Sequence, residues 1–275
     1  MDSKTIAFIG CGNMAASLIN GLVADGYEAK KIIASDPDSA KTAQLSSHLG
    51  IETTADNSQA VELADMVVLA VKPQLLEQVA TAIAPAVQKK QPLIISIAAG
   101  VLEQDIENWL GGSVALVRTM PNTPAMIKVG ATVLHANHLV TSEQKNQAET
   151  ILRAVGLTQW VESEDLLNAV TALSGSGPAY FFLVMEAMES AAVKLGLPEE
   201  TAHLLTLQTA LGAARMAMES SDTPAVLREK VTSPGGTTEA ALKSFEDGGL
   251  RDLFTQALTE ARDRSIELSK LLGSK

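Results

Sequence analysis

Two glycine-bearing stretches hold the residue types from which a ligand site can be built. Near the start, Gly10-Cys11-Gly12-Asn13-Met14-Ala15 fits the spacing G-x-G-x-x-G/A, directly after a short apolar strand and at the opening of a helix. Each small residue has a reason there: Gly10 permits a tight turn, Gly12 lets a pyrophosphate reach the backbone, and Ala15 lets helix and strand pack closely. The helix N-terminus then turns free N–H groups toward the phosphates, so this stretch points to a dinucleotide and to hydride chemistry. Far downstream, Ser233-Pro234-Gly235-Gly236-Thr237-Thr238 opens another helix. Its hydroxyls and thinly covered N–H groups suit a carboxylate. They equally suit an ordinary helix cap, a role that threonine followed by Glu239 can fill.

Further small or polar residues stand where other strands should end. Ser35-Asp36 closes the second strand, where the adenosine ribose of a dinucleotide sits. An acid there favours NAD by bonding both ribose hydroxyls, but Asp36-Pro37 also reads as a helix N-cap with proline at the first helical position. Ala70-Val71-Lys72-Pro73, Ala98-Ala99-Gly100 and Met120-Pro121-Asn122-Thr123-Pro124 end three more strands. Small residues at 98–100 admit a flat ring or simply close helix–strand packing. Lys72 meets a cofactor oxygen or only solvent. A second glycine-rich interruption, Ser174-Gly175-Ser176-Gly177-Pro178, precedes a long apolar helix.

The elements that must position these residues follow from hydrophobic spacing. Strands are expected over 5–10, 31–35, 66–71, 93–98 and 114–119, with a short segment near Ile51. Helices are expected over 37–49, 58–64, 73–87 and 102–110 between them. This alternation predicts a mostly parallel, doubly wound α/β sheet of Rossmann type, covered on both faces. The nearly all-apolar runs 66–71 and 93–98 read as strands buried on both sides. After a last strand over 158–162, everything reads as helix: 166–173, 179–195, 199–219, 225–231, 238–246 and 251–272. The expected domains are 1–163, binding the dinucleotide, and 164–275, all-α. The second carries broad apolar faces, such as Leu204, Leu205, Leu207, Leu211 and Met216, that a homodimer would cover.

Composition narrows the classes. A formal charge of -11 repels nucleic acid and anionic membranes, so neither is expected as a partner. The single cysteine, Cys11, excludes an intrachain disulfide and suits a reducing compartment. Met-Asp-Ser-Lys leads straight toward a strand with no basic or long apolar segment, and the expected location is the cytoplasm. His48, His135, His138 and His203 show no ligand spacing, and no metal is expected.

Taken together, GCGNMA, AVKP, SIAAG, MPNTP, LSGSGPAY and above all SPGGTT at 233–238 resemble the pyrroline-5-carboxylate reductases, over essentially the whole chain. The resemblance implies reduction of 1-pyrroline-5-carboxylate to L-proline, NADPH as the usual donor with NADH as the alternative, and a C-terminal helical domain that dimerises. It also implies an active site built between subunits and, in some members, larger rings of dimers. By motif, Gly10, Cys11, Gly12, Asn13, Met14 and Ala15 would hold the pyrophosphate, Ser35 and Asn57 the adenosine side, and Ala70, Val71, Lys72 and Pro73 the ribose region. Ala98 and Ala99 would lie by the nicotinamide. Ser233, Gly236, Thr237 and Thr238 would hold the substrate, with Thr238 as the catalytic partner of its ring nitrogen. Two other classes compete. One is a 3-hydroxyacid dehydrogenase using Lys194 or Lys230 as base. The other is a cofactor-binding module without turnover.

Overall fold

A computed structural model describes residues 4–273. The first body is a sheet of eight strands: β1 (Ile6–Ile9), β2 (Ile32–Ser35), β3 (Glu52–Thr54), β4 (Met66–Leu69), β5 (Leu93–Ser96), β6 (Leu116–Met120), β7 (Gly130–Ala136) and β8 (Gly156–Trp160). Their order is β3-β2-β1-β4-β5-β6-β7-β8. All pairs are parallel except β6 with β7. The order reverses between β1 and β4, the crevice where a doubly wound sheet takes its ligand. Between the strands run α1 (Asn13–Ala24), α2 (Ser39–Leu49), α3 (Asn57–Leu63), α4 (Pro73–Lys90), α5 (Glu103–Trp109) and α6 (Ser142–Arg153).

Every residue of β1, β2, β4 and β5 is buried. Helices on both faces explain why these strands are apolar without alternation. One face packs Phe8, Leu18, Ile19, Val68 and Ile95, and the other packs Ile9, Leu69, Leu76, Ile83 and Ile94. Each such fully buried side chain contributes about 1.5–3 kcal/mol relative to exposure. The expected strands and helices of this half are present with ends shifted by a few residues. One strand and three helical elements escape the sequence reading altogether: the antiparallel β7, short 3-10 turns over Ala29–Lys31 and Thr123–Ile127, and α6, whose start is a capping box between Thr141 and Gln144.

After β8 come α7 (Leu166–Val170), a π-helical turn (Thr171–Gly175), α8 (Gly177–Lys194), α9 (Glu199–Glu219), α10 (Pro224–Lys230), α11 (Thr237–Asp247) and α12 (Leu250–Gly273). The change from strands to helices falls where expected, but the compact units part elsewhere. One holds the chain to Ser176 together with the segment from Ala261 onward, and the other is Gly177–Glu260. The shift has a packing cause. Leu167 and Ala172 are buried, and Ser265 and Ser269 of α12 are buried too, with Ser265 Oγ donating to Asn168 Oδ1 at 2.9 Å.

The helical unit lacks a core of its own. Within 177–260, the described residues that are buried are Gly177, Ala202 and Thr206. Phe181, Phe182, Leu183, Leu204, Leu205 and Leu211 are exposed, and Leu195 reaches 88%. No helix among the described residues is long and apolar enough to cross a membrane.

Beside β6 lies a knot of charge. Arg118 pairs with Glu164, whose carboxylate also accepts the Glu103 N–H at 2.6 Å. Glu103 Oε2 is buried without a hydrogen-bond partner among the described residues, with His135 Nε2 3.4 Å away. Burial, and then the neighbouring Glu164, push the Glu103 carboxyl above its ordinary range. A raised folded value means that the native state binds more protons than the unfolded chain in that window. Stability therefore falls as pH rises through it. Glu103→Gln should raise stability at neutral pH by about 1 kcal/mol, the lower range for an unpaired buried polar group. The gain should shrink as pH falls toward the ordinary glutamate range. Melting curves across pH check this, and a gain that grows on acidification would refute it.

Candidate active site

The strand ends meet along one edge. Registers Ile9↔Ser35, Ile9↔Leu69 and Leu69↔Ser96 bring the carboxyl ends of β2, β1, β4 and β5 level. Gly10, Asp36, Ala70 and Ile97 therefore follow side by side. Gly10 has φ +98°, the left-handed region, and a Cβ there would lie 2.9 Å from the carbonyl carbon of Ala70. The turn is thus pressed against Ala70-Val71, and only glycine fits.

Gly12 differs. It is exposed, has φ −72°, and a Cβ built on it meets nothing within 4 Å. It caps α1 with no side-chain hydrogen bond, and the first helical bond runs from the Ala16 N–H to the Gly12 carbonyl at 2.9 Å. The N–H groups of Asn13, Met14 and Ala15 consequently have no intrahelical acceptor. No acid stands in the first turn. Bare donors at the positive end of a helix, below a glycine with open space over it, form a receptor for an anion such as a pyrophosphate.

On one side of this turn, Ser35 is buried and its hydroxyl donates to Asn57 Oδ1 at 2.6 Å, so the two residues proposed for the adenosine side lie together. Asp36 is not the cap of α2. That role belongs to Asp38, whose carboxylate accepts the Ala40 N–H, and the helix starts at Ser39. Asp36 is instead drawn back over the glycine turn, where Oδ2 accepts the Cys11 N–H at 2.8 Å and Oδ1 the Asp38 N–H at 2.9 Å. Cys11 is buried; burial first, then the Asp36 charge, push its thiol up to about 12. On the other side, Lys72 caps α4 with Pro73 in its first turn, Ala98 is buried and Ala99 exposed.

In the helical unit, the 233–238 loop forms another glycine-bearing helix start. Gly236 caps α11 without a side-chain bond, and Gly235 has φ +72°. The hydroxyls of Ser233, Thr237 and Thr238 have no hydrogen-bond partner among the described residues. Such a turn offers hydroxyls and first-turn N–H groups to a small carboxylate. The lysines considered as bases fit poorly. Lys230 is ion-paired to Asp222, and Lys194 sits in the last turn of α8. Among the described residues no group of three or more His, Cys, Asp or Glu side chains could hold a metal ion.

The chain was compared with known proteins. Residues 164–268 match the family model described as pyrroline-5-carboxylate reductase dimerisation, and residues 5–100 match NADP oxidoreductase, coenzyme F420-dependent. A pyrroline-5-carboxylate reductase of Pseudomonas aeruginosa is 53% identical over 273 residues, covering 99% of this chain and 100% of the relative. The chain belongs to the pyrroline-5-carboxylate reductase family. Among solved structures, a family member from Coxiella burnetii has TM-score 0.95 at 50% identity, over 98% of this chain and 100% of that one. Another, from Plasmodium falciparum and with NADP bound, has TM-score 0.85 at 28% identity, over 98% and 99%.

One member of the family motifs has a role that sequence reasoning did not assign. Asn122, in MPNTP, accepts the Ala131 N–H at 2.8 Å and donates to the Ser174 carbonyl at 3.1 Å. It ties the end of β6 to β7 and to the π-helical turn. Gly175 makes room beside it, since a Cβ there would lie 2.4 Å from Met120 Cε. The MPNTP and LSGSG stretches are thus one structural unit although 52 residues separate their bonded members.

Proposed function

We propose that this protein reduces the cyclic imine 1-pyrroline-5-carboxylate to L-proline, the last step of proline formation, with NADPH as preferred donor and NADH as the alternative. The observation that carries this reading is likeness over the whole length to reductases of that name, in a chain whose two glycine-capped helix starts are both open to an anion. The residues fit a dinucleotide, since the space over Gly12 is one that a Cβ would invade.

Bound dihydronicotinamide supplies the hydride. A protonated imine is already electrophilic, so the chain's task is positioning more than acid catalysis. The 10–15 turn holds the pyrophosphate, Ser35 and Asn57 the adenosine side, Ala70, Val71, Lys72 and Pro73 the ribose region, and Ala98 and Ala99 the nicotinamide. Ser233, Gly236, Thr237 and Thr238 hold the substrate. The Thr238 hydroxyl is too weak an acid to protonate the imine outright, and serves as a hydrogen-bond partner that orients the ring nitrogen and follows its charge.

The proposal includes 1–163 as cofactor domain, 164–275 as dimerisation and substrate domain, a cytoplasmic location, and a homodimer open to assembly into larger rings. A helical unit with three buried residues and many exposed large apolar ones needs a second copy to gain a core. Light scattering should give at least twice the 28.9 kDa chain mass, and a clean monomer would refute the dimer. The activity is tested by mixing purified protein with pyrroline-5-carboxylate and NADPH, then following cofactor absorbance and proline. Oxidation of a 3-hydroxyacid without imine reduction would favour the dehydrogenase class, and absence of any turnover the binding module.

A further inference from the structure

The 233–238 loop spends its own donors unevenly. Pro234 has none, the Gly236 N–H returns to the Ser233 carbonyl at 3.0 Å, and the Gly235 N–H donates to Glu239 Oε2 at 2.7 Å. The Ala240 N–H closes on the Gly236 carbonyl at 3.2 Å, leaving the N–H groups of Thr237, Thr238 and Glu239 at the start of α11 without an intrahelical acceptor. Glu239 is the third residue of α11. From that place a capping box reaches back to the cap's own N–H. Here the carboxylate reaches one residue further, to a glycine with left-handed φ +72° around which a Cβ would meet nothing within 4 Å. Gly235 is exposed, with no described atom packed where its Cβ would lie, so beyond the turn bond from Gly236 to Ser233 the Glu239 carboxylate is the contact that holds it.

We infer that Glu239 is a positioning residue: its carboxylate pre-forms the 233–238 loop and confines the substrate carboxylate to the hydroxyls and N–H groups of the first turn of α11. This rests on the function proposed above. A glycine pair is the most costly kind of backbone to order, and a loop already folded when substrate arrives avoids that cost at binding. The bond is also charge-assisted, the stronger kind.

The test uses the full-length enzyme with pyrroline-5-carboxylate and NADPH. Glu239→Ala should raise KM for the imine by about tenfold, the scale of one such bond, with kcat changed less and NADPH affinity unmoved. Glu239→Gln keeps an acceptor oxygen at the same reach without the charge and should recover part of the loss in KM, to about threefold above the unaltered enzyme. An unmoved KM in Glu239→Ala, or no recovery in Glu239→Gln, overturns the role while leaving the activity standing. Failure of the unaltered enzyme to reduce the imine overturns the functional reading itself, and the role with it. Independently of any variant, the Gly235 amide hydrogen should exchange more slowly than that of Thr237 after correction for intrinsic rates. Equal rates would also overturn the assignment.

Discussion

Gly12→Val abolishes NADPH binding at concentrations that saturate the unaltered protein and leaves the fold intact. Both halves of that expectation come from the same local geometry. The backbone at Gly12 has φ −72°, which valine adopts without strain, and a Cβ there touches no protein atom. What the isopropyl group does fill is the space over the open N–H groups of α1, where a pyrophosphate has to approach the backbone. Gly10 would be the wrong choice for this experiment. With φ +98° and the Ala70 backbone 2.9 Å from a built Cβ, any substitution there damages the turn itself. Titration of cofactor fluorescence and a melting curve on the same sample check the prediction. Normal affinity in a folded Gly12→Val protein would show that the dinucleotide binds elsewhere.

Thr238→Ala should lower turnover by about 10- to 1000-fold, the range for losing a polar contact made in the transition state. Cofactor affinity should stay as it was, and so should stability. The hydroxyl has no partner among the described residues, so its removal orphans nothing, and alanine is the better helix former in the first turn of α11. Thr238→Ser, which keeps an oxygen on the same carbon, should recover part of the loss. Unchanged turnover in Thr238→Ala would remove the residue from the mechanism.

Legibility in the sequence followed the range of the forces involved. The buried parallel strands could be read directly, because apolar residues on both faces of β4 and β5 leave no alternation to misinterpret. The glycine turn was equally plain, since the positive φ of Gly10 and the exposed cap at Gly12 are local demands. Strand β7 was missed although its burial alternates, because threonine and histidine sit among its apolar residues. Helix α6 was missed although Thr141 and Gln144 spell a capping box, because its charged surface gave little apolar period to read. Asp36 was left between a ribose contact and a helix cap for a different reason. A proline beside it looks like a cap, but its partner is Cys11, 25 positions away. The π-helical turn is likewise held by Asn122 from a distance, and nothing in its own residues announces it.

The setting of Cys11 carries a practical consequence. With its thiol shifted to about 12 by burial and the adjacent acid, almost none of the reactive thiolate exists under physiological conditions. Peroxide and alkylating reagents therefore have little thiolate to attack at Cys11, and labelling of the native protein by iodoacetamide should be slow until it is unfolded. The sulfur of this glycine turn is thus poorly suited to redox chemistry.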